Sequence, residues 1–392
     1  MIITDEQLTT WLARLVQIPS VTPEQAGSRA GAPGEARLAE AVAGWFRDLG
    51  GEVYVEHVLP GRPNVYGIWR GRNPDERKGG AGWAALDVHM DTVGVEQMSG
   101  DPFGGELRDG RVYGRGAVDT KASLAVALAL LEALYRSGGT LETNLLIAAT
   151  ADEENLARGA SAFAAWVRRR SIALDQLMVA EPTRCRPVHG HKGVVRLVFD
   201  IAGAPAHSSQ PQLGKNAIMA AAHLALALDA EHRRLAAAPP TSALGAPTLT
   251  VTLIGGGRGL NVVPDACSLS LDRRVVAGER ADDVVAALAD LAQRACPLPV
   301  TMQQLLSVDA FLQPPDTLWL QQLADWSGQP PSIAPYGTNA YAYDGLAREC
   351  VVLGPGSIDQ AHGVEEWVEV AELAKLAVIY ARWWGIGLGV GS

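Results

Sequence analysis

"TNLLIAATADEEN", Thr143 to Asn155, is an apolar run that stops abruptly at three carboxylates, Asp152, Glu153 and Glu154. An unbroken apolar run of this length, with no polar alternation, reads as a strand covered on both faces. Three further runs share the pattern: "GWAALDV" (82–88), "DQLMVA" (175–180) and "ECVVLG" (349–354). Helical spacing marks "EARLAEAVAGWFRDLG", "KASLAVALALLEALYRSGG" and "GASAFAAWVRRR" between and before them. Buried strands interleaved with helices predict a parallel-rich sheet in a three-layer α/β domain.

From about Pro187 the character changes. "GVVRLVFDIAG", "PTLTVTLIGGG" and "ACSLSLDRRVV" alternate like antiparallel strands, and "NAIMAAAHLALALDAEHRRL" and "ERADDVVAALADLAQRA" read as helices. This order predicts a compact α+β unit of ferredoxin-like type, residues 187–296, inserted into a discontinuous domain made of 1–186 and 297–392. "LAAAPPTSALGAPT" is a loop within the insert, and the tail "WWGIGLGVGS" either frays or packs.

The chain has 392 residues, 48% apolar and 19% charged, with a net charge of −10. That acidity argues against nucleic acid and anionic membrane as partners, and suits small molecules or cations. The N-terminus "MIITDEQLTTWLARLV" carries early acids and helical spacing where a signal peptide would be basic, and no apolar run is long enough to span a bilayer. The four cysteines lack CxxC spacing, so buried free thiols in a reducing cytoplasm are expected.

The side chains able to hold metal sit at strand ends. His89 and Asp91 follow the first run; two apart in extended chain, they share a face, so one can ligate while the other fixes its tautomer. Glu153 and Glu154 end a second run, Glu181 a third, and His362 follows the fourth. Asp119 lies in "VYGRGAVDTKAS", a Gly-rich loop without Walker spacing, before a long apolar helix. Singly, each has an ordinary reading: a solvated acidic turn, a core histidine, a turn glutamate, a helix cap. What those readings leave unexplained is the coincidence of imidazoles and carboxylates at the ends of buried strands, where unpaired charge is costly and sites of α/β sheets form. Two cations would neutralise that charge and make a hydrolytic centre.

Together "HMDTV", "GRGAVDTK", "DEEN", "AEPT", "PAHSSQPQLGKNAI", "NVVPD" and "GPGSIDQAHG" resemble the dizinc M20 peptidases and amidohydrolases, most of all the acetylornithine deacetylase and succinyl-diaminopimelate desuccinylase group. The resemblance runs over nearly the whole chain in motif order. It implies that His89 and Glu154 hold one metal, that Glu181 and His362 hold the other, and that Asp119 bridges them. Zn2+ is the implied ion, with Co2+ or Mn2+ as substitutes. Glu153 is then the general base, Asp91 buttresses His89, and His207 in "PAHSS" is a lid histidine that donates to the oxyanion. In related dimers that histidine crosses between subunits, so a homodimer formed through the inserted domain is implied. Asn261 and Arg274 correspond to contacts with the intermediate and a substrate carboxylate; Arg273, adjacent on a strand, points the other way. A cis bond between Asp119 and Thr120 is also implied.

The loop "YGTNAYAYDG" departs from the pattern. Gly337, Thr338 and Asn339 stand where many relatives carry Gly-Thr-Asp, and Asn339 removes a negative charge expected beside the substrate. His57, His223 and His232 have no partners by spacing, and His189 and His191 are not expected to ligate. The expected activity is hydrolysis of an N-acyl amino acid, with dipeptidase or glutamate-releasing carboxypeptidase as the alternative within the family. Different classes are a non-catalytic small-molecule binder, against which the full set of site residues speaks, and a dinuclear phosphoesterase, which gives Asn261 and Arg274 no role.

Overall fold

A computed structural model describes residues 2–72 and 82–387. The chain divides into two compact units, one comprising Met1–His189, Gln313–Ser332 and Thr338–Ser392, the other Gly190–Leu312 and Ile333–Gly337.

In the first unit the four expected runs form strands Trp83–His89, Asn144–Thr150, Leu174–Val179 and Ala347–Val352. Across the sheet the order is Glu52–Leu59, Arg62–Trp69, Asn144–Thr150, Trp83–His89, Leu174–Val179, Ala347–Val352. The last four are mutually parallel. The first two form an antiparallel hairpin that the sequence reading did not anticipate.

Alternation along Trp83–His89 sends successive side chains to opposite layers. Ala84, Leu86 and Val88 join a core built with helices Asp5–Val16, Ala36–Asp48, Lys121–Arg136 and Val370–Trp383. Asp87 faces the other layer and accepts a hydrogen bond from Tyr343. Tyr343 meets Phe163 of helix Arg158–Arg169 edge to face. Helix Lys121–Arg136 is apolar nearly all round because it is buried between the first and last helices. Its single internal cation, Lys121, donates from Nζ to the carbonyls of Leu15 and Ile18 at 3.1 and 2.9 Å, closing the end of the first helix. Of the C-terminal tail, Trp384 is buried; residues 388–392 lie outside the described residues.

The second unit is a four-stranded antiparallel sheet in the order Thr248–Gly256, Ala266–Val275, Gly193–Ala202, Val300–Val308. Helices Ala217–Ala237 and Ala281–Ala295 bury Leu224, Leu228, Val285 and Leu288 in its core. The unit extends beyond the expected limit at 296, because Val300–Val308 completes the sheet by pairing with Gly193–Ala202. That strand is exposed over most of its length and lacks an apolar alternation, so its sequence gave no signal.

The four cysteines are free and buried, as expected. Among the described residues no helix is long and apolar enough to cross a membrane.

Candidate active site

The parallel register levels the strand ends. His89 pairs with Thr150, Asp87 with Val179, and Val352 also with Val179. Each strand therefore hands its chain to a loop on the same edge of the sheet, where sites of α/β folds form.

Those loops bring six side chains together. His89 Nε2 lies 3.0 Å from Asp119 Oδ1, and His362 Nε2 lies 3.2 Å from Asp119 Oδ2 and 3.2 Å from Glu154 Oε1. Ligand atoms of His89, Asp119 and Glu154 fall within 4.8 Å of one another, as do those of His89, Glu153 and Glu181. The His89 tautomer is fixed from behind. Its Nδ1 faces the carbonyl of Asp91 at 2.9 Å, an acceptor only, so Nδ1 carries a proton and Nε2 is the nitrogen turned towards Asp119.

Asp91 reaches His89 through its backbone carbonyl rather than its carboxylate. Its carboxylate is 3.8 Å from the His89 ring and instead accepts from the backbone N–H groups of Glu153 and Glu154, each at 3.0 Å. The bridging loop has its own brace. Glu366 Oε1 accepts from Val118 N–H and Asp119 N–H at 3.0 and 3.1 Å, while its other oxygen takes Arg115 Nη1 at 2.6 Å. The Asp119–Thr120 bond is cis, as the resemblance implies. Nor is the acidic turn solvated. Asp152 is fully buried, with a left-handed φ of 69°, between Arg62 and Arg158.

Crowding sets the electrostatics. Burial, reinforced by neighbouring carboxylates, pushes Glu153 up to about 8 and Glu181 well above the usual carboxylate range. Burial alone would raise Asp119 too, but hydrogen bonds and charge from His362 and His89 hold it low. Bonds to Asp119 and Glu154 lift His362 to about 10.

Four carboxylates and two imidazoles in one place, with two of the acids driven towards protonation, form an anionic nest that suits divalent cations. The two oxygens of Asp119 face different imidazoles, which marks two positions. The direct contact of Glu154 with His362 puts that glutamate on the Oδ2 side and leaves Glu181 with His89 on the Oδ1 side. This division differs from the expected pairing of His89 with Glu154 and of Glu181 with His362, although the ligand atoms of His89, Asp119 and Glu154 also lie within 4.8 Å of one another.

The loop at 337–339 also departs from expectation. Gly337 closes the second unit's segment, whereas Thr338 and Asn339 are buried in the first. Thr338 Oγ1 accepts from Ala340 N–H at 3.1 Å. Asn339 Nδ2 donates to Asp87 Oδ2 at 3.0 Å and Thr150 Oγ1 at 3.3 Å. Asn339 is therefore not placed to alter charge beside a substrate, since its amide points into the protein at another carboxylate.

His207 and Asn261 are exposed on the second unit. His207 Nδ1 accepts from Ser209 N–H at 3.2 Å, and the carbonyl of Asn261 accepts from Ser208 N–H at 2.9 Å. Arg274 is half-buried and donates through Nε to Asp272 at 2.8 Å; Arg273 points inward, buried, to Glu279. His189 and His191 are buried and bonded to the carbonyls of Gln313 and Lys192. Sequence reasoning missed Arg62, Glu35, Arg115 and Glu366, which brace the loops of the site and carry no motif of their own.

An α/β layer fold with carboxylates and imidazoles gathered at its parallel strand ends defines a metal-dependent hydrolase. Residues 85–385 match the model of "Peptidase family M20/M25/M40", and the chain belongs to this family. It is 32% identical over 366 residues to an acetylornithine deacetylase of Salmonella arizonae, a match covering 91% of each chain. Among solved structures it superposes on an M20 family metallo-carboxypeptidase from Sulfolobus solfataricus with a TM-score of 0.76 at 17% identity, covering 96% of this chain and 97% of that one. A dinuclear metal binding M20 peptidase from Bacillus subtilis superposes with a TM-score of 0.63 at 15% identity, covering 96% and 98%.

Proposed function

We propose that the chain hydrolyses the amide of an N-acyl amino acid, with Glu153 as general base. The observation that carries this reading is the approach of two imidazoles to separate oxygens of Asp119, with Glu153 beside them. His89, Asp119 and Glu181 would hold one divalent cation and His362, Asp119 and Glu154 a second. Zn2+ suits this oxygen and nitrogen donor set, and Co2+ or Mn2+ can substitute. When bound, the cations polarise the scissile carbonyl and acidify water.

Glu153 then takes the proton of the attacking water and returns it to the leaving amine. A carboxylate beside the attacking water is placed to hold that proton between the two steps. His207 is the donor to the oxyanion, and Arg274, whose planar fork matches a carboxylate, reads the substrate's acid group with Asn261. The second unit is a lid and the site of homodimerisation. Its edge strand Thr248–Gly256 exposes Leu253 and Ile254, and helix Ala217–Ala237 exposes Met219 and Leu226. A second copy of the same surface would cover both the open edge and these apolar side chains.

The test is a panel of N-acetyl and N-succinyl amino acids and free-amine dipeptides on the zinc-loaded chain. The expected result is turnover of N-acyl amino acids, at least tenfold faster than of any dipeptide. Turnover of dipeptides alone would make the protein a dipeptidase.

A further inference from the structure

Behind the turn that carries Glu153 and Glu154 lies a buried guanidinium engaged on every edge. Arg62, 4% exposed, opens strand Arg62–Trp69. Its Nε and Nη2 donate to the two oxygens of Glu35 at 2.7 and 2.8 Å. Nη1 donates to Asp152 Oδ1 at 2.8 Å and to Glu24 Oε2 at 3.2 Å, and Nη2 to Thr22 Oγ1 at 3.2 Å. Asp91 Oδ2 lies 3.7 Å from Nη2. Of these acids Glu35, Asp91 and Asp152 are fully buried.

Three of the carboxylates gathered by Arg62 end on the turn. Glu35 Oε1 accepts the backbone N–H of Asp152 at 3.0 Å, and Asp91 accepts those of Glu153 and Glu154. Asp152 is itself part of the turn and fixes its far side, taking Arg158 Nε at 2.6 Å. Every backbone N–H from 152 to 154 is thus held by an acid that Arg62 contacts. A buried ion pair is weak evidence for stability by itself, since apolar groups fill such space at least as well. A reacting carboxylate, in contrast, needs its geometry held within about half an ångström.

We infer that Arg62 is a positioning residue. It draws Glu35, Asp91 and Asp152 together against their mutual repulsion, and through them sets the backbone from which Glu153 and Glu154 project. Its hydrogen bonds and ion pairs go to Thr22, Glu24, Glu35, Asp91 and Asp152, not to the six side chains of the site. The inference rests on the roles proposed above for those two glutamates.

Arg62→Lys keeps the charge and loses the planar fork, so it separates neutralisation from positioning. Hydrogen exchange on the metal-free protein, compared between the turn 151–155 and strand Trp83–His89, reads the clamp without reference to activity. Kinetics of the zinc-loaded enzyme on an N-acetyl amino acid read its consequence. The expected result is at least tenfold faster exchange in the turn with the strand unchanged, and a kcat at least tenfold lower with KM within twofold. Glu35→Gln, nearly isosteric, should shift both in the same direction and serves if Arg62→Lys does not fold. Wild-type exchange in the turn, or a general rise in exchange with kcat intact, overturns the inference. If the wild-type chain hydrolyses none of the amides, the proposed reaction fails while the exchange comparison still decides the clamp.

Discussion

Each oxygen of Asp119 faces a different imidazole, and that one side chain divides the site into two positions. Asp91 shows the same economy, because its two parts do separate jobs. Its carbonyl fixes His89 and its carboxylate anchors Glu153 and Glu154. Asp91→Asn separates them. The amide offers one acceptor oxygen, so its NH2 must confront a backbone N–H and leave it unpaired. Urea denaturation should show a loss of about 1–3 kcal/mol, and kcat should fall while the zinc held by His89 is retained. Loss of that zinc with unchanged kcat would return Asp91 to the role of a buttress for His89.

At the scale of elements, the buried parallel strands were legible because they are apolar over most of their length and lead into polar loops. The six side chains gathered at the strand ends were legible for the same reason, as charge at the end of a buried run has few uses other than a site. The hairpin of Glu52–Leu59 and Arg62–Trp69 and the strand Val300–Val308 were not legible. The first mixes Glu56, His57 and Asn64 into its pattern, and the second is an edge strand facing solvent. Arg62 was hidden with its hairpin, and so were the braces made by Glu35 and Glu366. Asn339 misled because sequence gives a residue's type and not the direction of its side chain. The open edge at Thr248–Gly256 makes its own prediction. Leu253→Lys together with Ile254→Asp should convert a dimer seen in sedimentation to a monomer, and an unchanged sedimentation coefficient would place the dimer contact elsewhere or remove it.

Over the whole molecule, one unit gathers the imidazoles and carboxylates at a sheet edge while the other carries His207, Asn261 and Arg274 on a separate core. In the proposed mechanism the first unit alone holds two cations around Asp119 and carries the neighbouring carboxylate that moves the proton. Glu153→Gln tests it most directly, since it keeps the shape of the side chain and removes its ability to accept a proton. Zinc content and kcat are measured on the same preparation, with the wild-type chain beside it. Two zinc ions per chain are expected in both proteins, with kcat lowered by roughly 10²–10⁴-fold in the variant. Retention of a tenth or more of wild-type turnover with both ions bound would contradict it.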